Sequence, residues 1–195
     1  MAPATDAFGA ETPDQLCMVW PEQLLQAPPT PQPLSGYHLR LYEPGDEEPF
    51  CTVMAEAGWP GWDKERLQSW VARIVPDSWF MALDTLRGRV VGTCMGLHDH
   101  TPWHPFGGEL GWLAVDPAHT GQGIGRALAA AVTARLIGAG YRHIHLYSED
   151  YRLAALRIYL SLGYQPRLYT PDMAGRWEAI CAKLGWPYAP DAWPR

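Results

Sequence analysis

The chain has 195 residues, 47% hydrophobic and 18% charged, which suits one folded domain with extensions and argues against global disorder. Its formal net charge of -6, without any basic run, argues against a nucleic-acid partner. Ten tryptophans are many for this length. They fit either packing in the core or an aromatic wall around a substrate cleft.

The spacing of the cysteines and the composition of the N-terminus indicate the cellular compartment in which the protein is expected. The four cysteines are far apart and form no CxxC pair, which supports neither a zinc site nor a redox motif and fits reduced, buried thiols. The first residues lack the basic and apolar regions of a signal peptide. No apolar stretch approaches the roughly 20 residues that span a bilayer. We therefore predict a cytoplasmic protein without a membrane partner or a metal site.

Residues 1–35 are predicted to form an N-terminal arm, because the prolines between residues 28 and 33 favour extended backbone. Its apolar side chains between Leu16 and Leu25 are too many to stay in water, so the arm should pack on the domain or on the partner subunit of a homodimer. Regular structure is expected to begin at Tyr37.

Residues 36–170 are predicted to form the main domain, and residues 171–195 a C-terminal helix and tail that pack on it. Alternating apolar residues indicate strands, and apolar stripes at helical spacing indicate helices. A helix from Asp63 with Ile74 on its stripe should end at Pro76. The remaining predicted elements, in chain order, are a strand at Tyr37–Tyr42, a helix at Asp46–Ala57, strands at Trp79–Asp84, Arg89–Leu97 and Glu109–Val115, a helix at Gly123–Ile137, a strand at His143–Tyr147, a helix at Arg152–Leu162, a strand at Tyr164–Leu168 and a helix at Met173–Leu184. The order β-α-α-β-β-β-α-β-α-β predicts an α/β fold, with a mixed sheet between helices on both faces.

A glycine-rich turn lies between a predicted strand and a predicted helix, in the segment Val115–Leu128. Glycines at 121, 123 and 125 remove side chains where a ligand would approach the backbone. Several main-chain N–H groups can then converge on one anion at the helix N-terminus, which indicates a phosphate or pyrophosphate ligand.

Two familiar phosphate loops do not fit this turn. A P-loop needs Lys followed by Ser or Thr after its glycines, and neither pair is present. A dinucleotide-binding fingerprint needs a third glycine three residues after Gly123, where the chain has Arg126.

The turn resembles the pyrophosphate loop of the GNAT superfamily of acyl-CoA transferases, which reads [Q/R]-x-x-G-x-[G/A] after a V-x-P strand end. Thr120 stands where the family usually has Arg or Gln. The resemblance covers roughly Tyr37 to Leu168. The matching residues are Val115, Pro117, Gly121, Gln122, Gly123, Gly125 and Leu128.

A second GNAT pattern, N-x-x-A-x-x-[L/I]-Y-x-x-x-G-[F/Y], follows on the next predicted helix. Arg152 replaces the usual Asn, which in the family helps to hold the pantetheine side of the cofactor. The matching residues are Ala155, Ile158, Tyr159, Gly163 and Tyr164. Two motifs in the right order are far more specific than either alone.

The resemblance implies acetyl-CoA as co-substrate, in a V-shaped opening between the strands that end at Val115 and Tyr147. It implies that loop and strand residues hold the cofactor: Leu113, Ala114, Val115, Thr120, Gly121, Gln122, Gly123, Ile124, Gly125, Arg126, Arg152 and Ala155. The implied reaction is acetyl transfer to a primary amine of a small molecule or peptide by direct attack.

The resemblance also implies two catalytic residues. Glu109 stands where GNAT members often present a general base, and apolar walls such as Trp112 would raise its pKa. The alternative is a structural carboxylate that faces solvent or pairs with an Arg, in which case a water chain or a histidine would be the base. Tyr159 resembles the family's general acid near the sulfur; its alternative is an aromatic packed on the sheet.

The segment Leu97–His104 carries His98, Asp99, His100 and His104, which are predicted to lie in a loop near the acceptor site. A metal-dependent enzyme using these side chains is one alternative function. A second is a non-catalytic acyl-CoA-binding sensor, because Thr120 and Arg152 depart from the family pattern.

Overall fold

The computed structural model describes residues 15–100 and 105–195. They form a seven-stranded sheet in the order β2-β3-β4-β5-β6-β1-β7. Only β5 and β6 pair in parallel; the other neighbours are antiparallel. The strands are β1 Leu16–Val19, β2 Tyr37–Leu41, β3 Ile74–Asp84, β4 Arg89–Asp99, β5 Gly107–Val115, β6 His143–Ser148 and β7 Gln165–Arg167.

In the part of the chain that the structure describes, five α-helices cover the sheet, and two separate apolar clusters hold them there. One cluster packs the first two helices on the sheet through Phe50, Met54 and Leu67. The other packs the remaining helices through residues such as Leu128 and Trp177. The helices are α1 Glu47–Glu56, α2 Lys64–Val71, α3 Ile124–Gly138, α4 Leu153–Leu162 and α5 Met173–Leu184. The predicted α/β fold, a mixed sheet flanked by helices, is confirmed. In the described part of the chain no helix has the length and apolar character needed to cross a membrane.

The start of the sheet differs from the prediction. Within the described residues a strand already stands at Leu16–Val19, well before Tyr37, because β1 inserts between β6 and β7 and pairs with both. Leu16 and Met18 are fully buried. The apolar patch in the expected arm is therefore an internal strand of the sheet, and its side chains are part of the main core.

The predicted helix around Pro76 was too long. The structure ends α2 at Val71 and starts β3 at Ile74, so Pro76 lies within a strand. The pairing with β4 is irregular between Ile74 and Trp79, and Asp77 has a φ of 57°. A bulge of this kind accommodates a proline that has no N–H to donate to the ladder.

The C-terminal residues lie against the domain. Helix α5 buries Trp177 and Ile180, and the ring of Trp193 packs at 6.0 Å from that of Trp177. The Leu168 N–H donates to the carbonyl of Pro194 at 2.8 Å. The tail is thus tied to the chain just beyond β7.

Candidate active site

A cavity of about 1060 Å³ opens between β5 and β6. These parallel strands pair only where Gly107–Glu109 meets His143–His145. Beyond Glu109 they separate, and the cavity is lined by the rest of β5 on one side and by Tyr147 to Glu149 on the other. This is the V-shaped opening that the resemblance implied.

The glycine-rich turn forms one part of the cavity wall. Gly121 and Gly123 have φ angles of 78° and 82°, in the left-handed region that side chains rarely adopt. A Cβ on Gly121 would meet no atom within 4 Å, and one on Gly123 would meet only Leu34 Cδ2 at 3.4 Å. Gly123 is the N-cap of α3, whose first N–H groups have no helical partner. The backbone here is exposed and suited to an anion.

Gly125 has a different structural role. A Cβ at this position would lie 3.0 Å from Ile158 Cδ1 and 3.7 Å from Val115 Cγ2. The missing side chain therefore allows α3 to approach α4 closely. The structure thus gives a packing reason for this glycine, and access for a ligand stays a prediction, since Gly125 also lines the cavity.

The predicted cofactor residues almost all line this one cavity. Gln122 is described but is not among the lining residues. Thr120 Oγ1 donates to the Pro117 carbonyl at 3.0 Å, and Arg126 contacts Ser161 Oγ. The predicted residues on the wall are Leu113, Ala114, Val115, Thr120, Gly121, Gly123, Ile124, Gly125, Arg126, Arg152 and Ala155.

A bulge in β5 lies on the cavity wall. The pairing with β4 passes from Thr93 opposite Ala114 to Met95 opposite Gly111, so β5 holds one extra residue. Trp112, within the bulge, has a φ of 54°. A bulge leaves one residue out of the ladder and re-aims its neighbours. Leu113 and Ala114, which are predicted to hold the cofactor, lie in or beside this bulge.

Glu109 lies on the cavity wall where β5 and β6 diverge. Its side chain is 15% exposed, and Oε2 accepts a hydrogen bond from Arg73 Nη2 at 2.9 Å. Burial raises the pKa of the Glu109 carboxyl, while the Arg73 charge opposes that shift. The predicted direction is therefore confirmed. The carboxylate nevertheless pairs with an arginine, as the structural alternative held.

Three further charged or titratable side chains surround Glu109. Arg73 Nη2 also donates to Asp99 Oδ1 at 2.8 Å, and Asp99 Oδ2 lies 3.0 Å from Nε2 of the fully buried His145. We call Arg73, Asp99, Glu109 and His145 the carboxylate network. Sequence reasoning missed Arg73 and His145, because they come from a turn and a strand with no shared motif.

Tyr159 is buried on α4 and lines the cavity. Burial raises the pKa of its phenol well above the usual value, so the hydroxyl keeps its proton. Its ring also packs at 6.1 Å from that of Tyr164. The side chain is therefore an aromatic of the core that also lines the cavity.

The family model of the Acetyltransferase (GNAT) family matches residues 40–164. The chain belongs to the GNAT acetyltransferase family. Mycothiol acetyltransferases from Thermobispora bispora and Amycolatopsis mediterranei are 32% and 35% identical to it. These alignments cover 70% and 74% of this chain but 49% of each relative. The chain thus spans about half the length of the curated relatives it matches.

Solved structures give the same fold. A GCN5-related N-acetyltransferase from Sphaerobacter thermophilus is 30% identical with a TM-score of 0.62, covering 78% of this chain and 48% of that one. The ribosomal-protein-S18-alanine N-acetyltransferase from Escherichia coli is 22% identical with a TM-score of 0.54, covering 69% of this chain and 84% of that one. The latter likeness shows the fold alone.

Arg152, one of the two departures from the GNAT pattern, has defined partners. Its Nε donates to Glu149 Oε2 at 2.6 Å, and its guanidinium carbon lies 3.7 Å from the ring centroid of Trp59. Trp59 follows α1, so this contact joins two walls of the cavity. Trp70 and Trp112 line the cavity as well. An aromatic wall, one of the two uses considered for the tryptophans, is present in this GNAT cavity.

The histidine segment lies differently from the prediction. His98 and Asp99 are the last residues of β4, not part of a loop, and His98 Nδ1 lies 3.1 Å from the Tyr141 hydroxyl. His104 lies outside the described residues. Among residues 15–100 and 105–195, no group of three or more His, Cys, Asp or Glu is arranged to hold a metal ion.

Proposed function

We propose that this chain transfers the acetyl group of acetyl-CoA to the primary amine of a small molecule or peptide. The observation that carries the proposal is that one cavity brings together the anion-binding turn, the bulged strand, Glu109 and Tyr159. The reaction needs a binding site for the pyrophosphate, a main-chain N–H that polarises the thioester carbonyl, and groups that accept and donate protons. The cavity offers a candidate for each.

The turn fits a pyrophosphate. Gly121 and Gly123 leave their main chain open, and the N-terminus of α3 favours negative charge. Thr120 stands where the family usually has Arg or Gln, and both its hydroxyl and its N–H donate to the Pro117 carbonyl, so other main-chain groups of the turn would carry more of the binding. Arg152 and Ala155 would flank the pantetheine arm, and the backbone of β5 from Leu113 to Val115 would pair with it.

Glu109 is the proposed base. It accepts a proton from the attacking amine, whose nitrogen bonds to the acetyl carbon to give a tetrahedral oxyanion, and collapse of this oxyanion then breaks the carbon–sulfur bond. The oxyanion that forms is stabilised by an N–H of the bulge at Leu113 or Ala114. The proton then passes from the carboxyl to solvent.

Tyr159 is proposed to stabilise the departing thiolate through a hydrogen bond. A thiol has a pKa of about 8.5, below the ordinary value of about 10 for tyrosine. Because burial raises the pKa of Tyr159 further, full proton transfer to the sulfur is uphill. The thiolate therefore takes its final proton from solvent, while the phenol remains a donor.

The proposal is tested by CoA release from acetyl-CoA with a panel of amines. The panel contains polyamines, peptide N-termini, lysine side chains and the acceptor of mycothiol acetyltransferases, because relatives bear that name. We expect turnover that saturates with one class of amine. Tight acetyl-CoA binding by calorimetry without turnover on any amine would favour the acyl-CoA sensor.

The cytoplasmic location and the homodimer stay predictions from the sequence. The amine as partner also rests on the proposed reaction.

A further inference from the structure

Arg73 lies in the turn between α2 and β3 and binds two strands at once. Its Nε donates to the carbonyl of His98 at 3.2 Å. Its Nη2 donates to Asp99 at 2.8 Å and to Glu109 at 2.9 Å. The guanidinium carbon lies 4.8 Å from the ring centroid of Trp70. Hydrogen bonds in its plane and an aromatic ring near it hold this guanidinium in place.

Only one oxygen of Glu109 is engaged by this arginine. Among the described residues, Oε2 has Arg73 as its partner and Oε1 has no hydrogen bond. A Cβ on Gly111 would lie 3.5 Å from Oε1, and both Glu109 and Gly111 line the cavity. The same Cβ would lie only 2.8 Å from Leu97 Cδ1, so glycine at position 111 allows the buried Leu97 side chain and the Glu109 carboxylate to pack beside the main chain. Oε1, which Arg73 does not engage, is the oxygen available to accept a proton.

We propose that Arg73 is the positioning residue of the Glu109 base, and that it sets the pH range in which the base works. The inference rests on the proposed function, in which Glu109 takes the proton of the amine. Arg73 would hold Oε2, direct Oε1 to the acceptor and keep the carboxylate charged within a buried site.

The charges around Glu109 determine the sign of the effect. Arg73 and a charged His145 lower its pKa, whereas burial and Asp99 raise it. An opposite charge within about 4–6 Å commonly lowers a carboxyl pKa by about 1–3 units. Loss of the Arg73 charge should therefore raise the pKa of Glu109 by about 1–3 units. The titratable and charged groups that face Glu109 are Cys17 of β1, Arg73 of the turn, Asp99 of β4, and His145 and Tyr147 of β6.

The test compares Arg73→Gln with Arg73→Lys and with a matched control, Arg66→Gln. Arg66 lies on α2 and stacks at 4.7 Å over Trp62 without contacting Glu109. As pH is lowered, kcat/KM should fall when Glu109 becomes protonated, and we call this fall the acidic limb of the profile. We expect Arg73→Gln to raise the midpoint of the acidic limb by about 1–3 pH units, with activity recovering above the new midpoint. Arg73→Lys should give a smaller shift, and Arg66→Gln none.

A second measurement separates this inference from the proposed reaction. The Glu109 carboxyl is titrated by ¹³C NMR in the free protein and assigned by its loss in Glu109→Gln. An unchanged Glu109 titration in folded Arg73→Gln overturns the inference about Arg73. A shifted titration with an unshifted rate profile instead overturns Glu109 as the base, and with it the catalytic role of Arg73.

If Arg73→Gln does not fold, a variant expected to shift the pKa of Glu109 in the opposite direction still tests the inference. Asp99→Asn removes a like charge beside Glu109. The titration of Glu109 and the acidic limb of the kcat/KM profile should therefore both move to lower pH. A shift to higher pH, or none, would contradict the proposed balance of charges.

Discussion

The glycine turn before α3 and the carboxylate network line the same cavity but are built differently. The turn is one contiguous segment whose main chain, left open by Gly121 and Gly123, is proposed to bind the anion. The network joins side chains from a turn and three strands that are far apart in the sequence. Binding an anion needs only local backbone geometry, whereas tuning a buried carboxylate needs charges placed by the whole fold.

The largest effect is expected where the network is broken. Glu109→Gln should lower kcat by about 10²–10⁴-fold, the usual value of general acid–base assistance. Glutamine can still accept the Arg73 hydrogen bond, so the fold should persist. Since the pKa of Glu109 is raised, the wild-type rate should fall as pH decreases toward a midpoint above the ordinary carboxyl value. That acidic limb should be absent from the rate profile of the variant; its persistence would mean another base.

An intermediate effect is expected at the turn. Gly123→Val places a β-branched residue at a φ of 82°, so the main chain must shift away from the position that is proposed to receive the phosphate. We expect acetyl-CoA affinity, measured by calorimetry, to fall about 10–10²-fold, the value of one charge-assisted hydrogen bond at about 1.5–3 kcal/mol. Gly88→Val is the matched control, because Gly88 has a φ of 65° in open space in the β3–β4 turn. Equal losses of affinity in both variants would show that backbone strain alone is responsible.

The smallest effect is expected at Gly125, which we expect to matter for packing and stability, unlike Gly123 of the same motif. Gly125→Ala crowds Ile158 Cδ1, and overpacking of this kind costs about 1–3 kcal/mol of unfolding free energy. Adding Ile158→Val removes that methyl group and should restore much of the stability in denaturant melts. If the double variant is no more stable than Gly125→Ala, contact with Ile158 is not what requires glycine.

The same contrast explains how far the sequence could predict the structure. The turn and helix α3 follow from local glycine spacing and an apolar run, and their predicted bounds agree with the structure within about one residue. The role of Arg73 depends on β4 and β5 lying beside its turn, which no local pattern indicates. Likewise, Ile74 fits a helical stripe, but pairing with Leu97 places it in a strand.

Strand β1 was missed for a related reason. Leu16–Val19 is short, lies among prolines and has no neighbouring strand along the chain, so its pattern indicates only an apolar arm. Its partners, β6 and β7, come much later in the sequence. Burial of Leu16 and Met18 follows from that distant pairing rather than from local propensity.

The place of β1 also sets an order on folding. Among the described residues β1 is the first strand along the chain and its sheet partners β6 and β7 are the last two, and Gln15 and Glu149, which share a hydrogen bond of 2.9 Å, are 134 positions apart. Such distant pairing requires the closure of a long loop before any contact is gained. Until β6 and β7 have been synthesised, β1 has no strands to pair with, and its apolar side chains cannot yet be buried between them. Completion of the sheet, and with it the β6 side of the cleft, is therefore a late event that depends on nearly the whole chain being available.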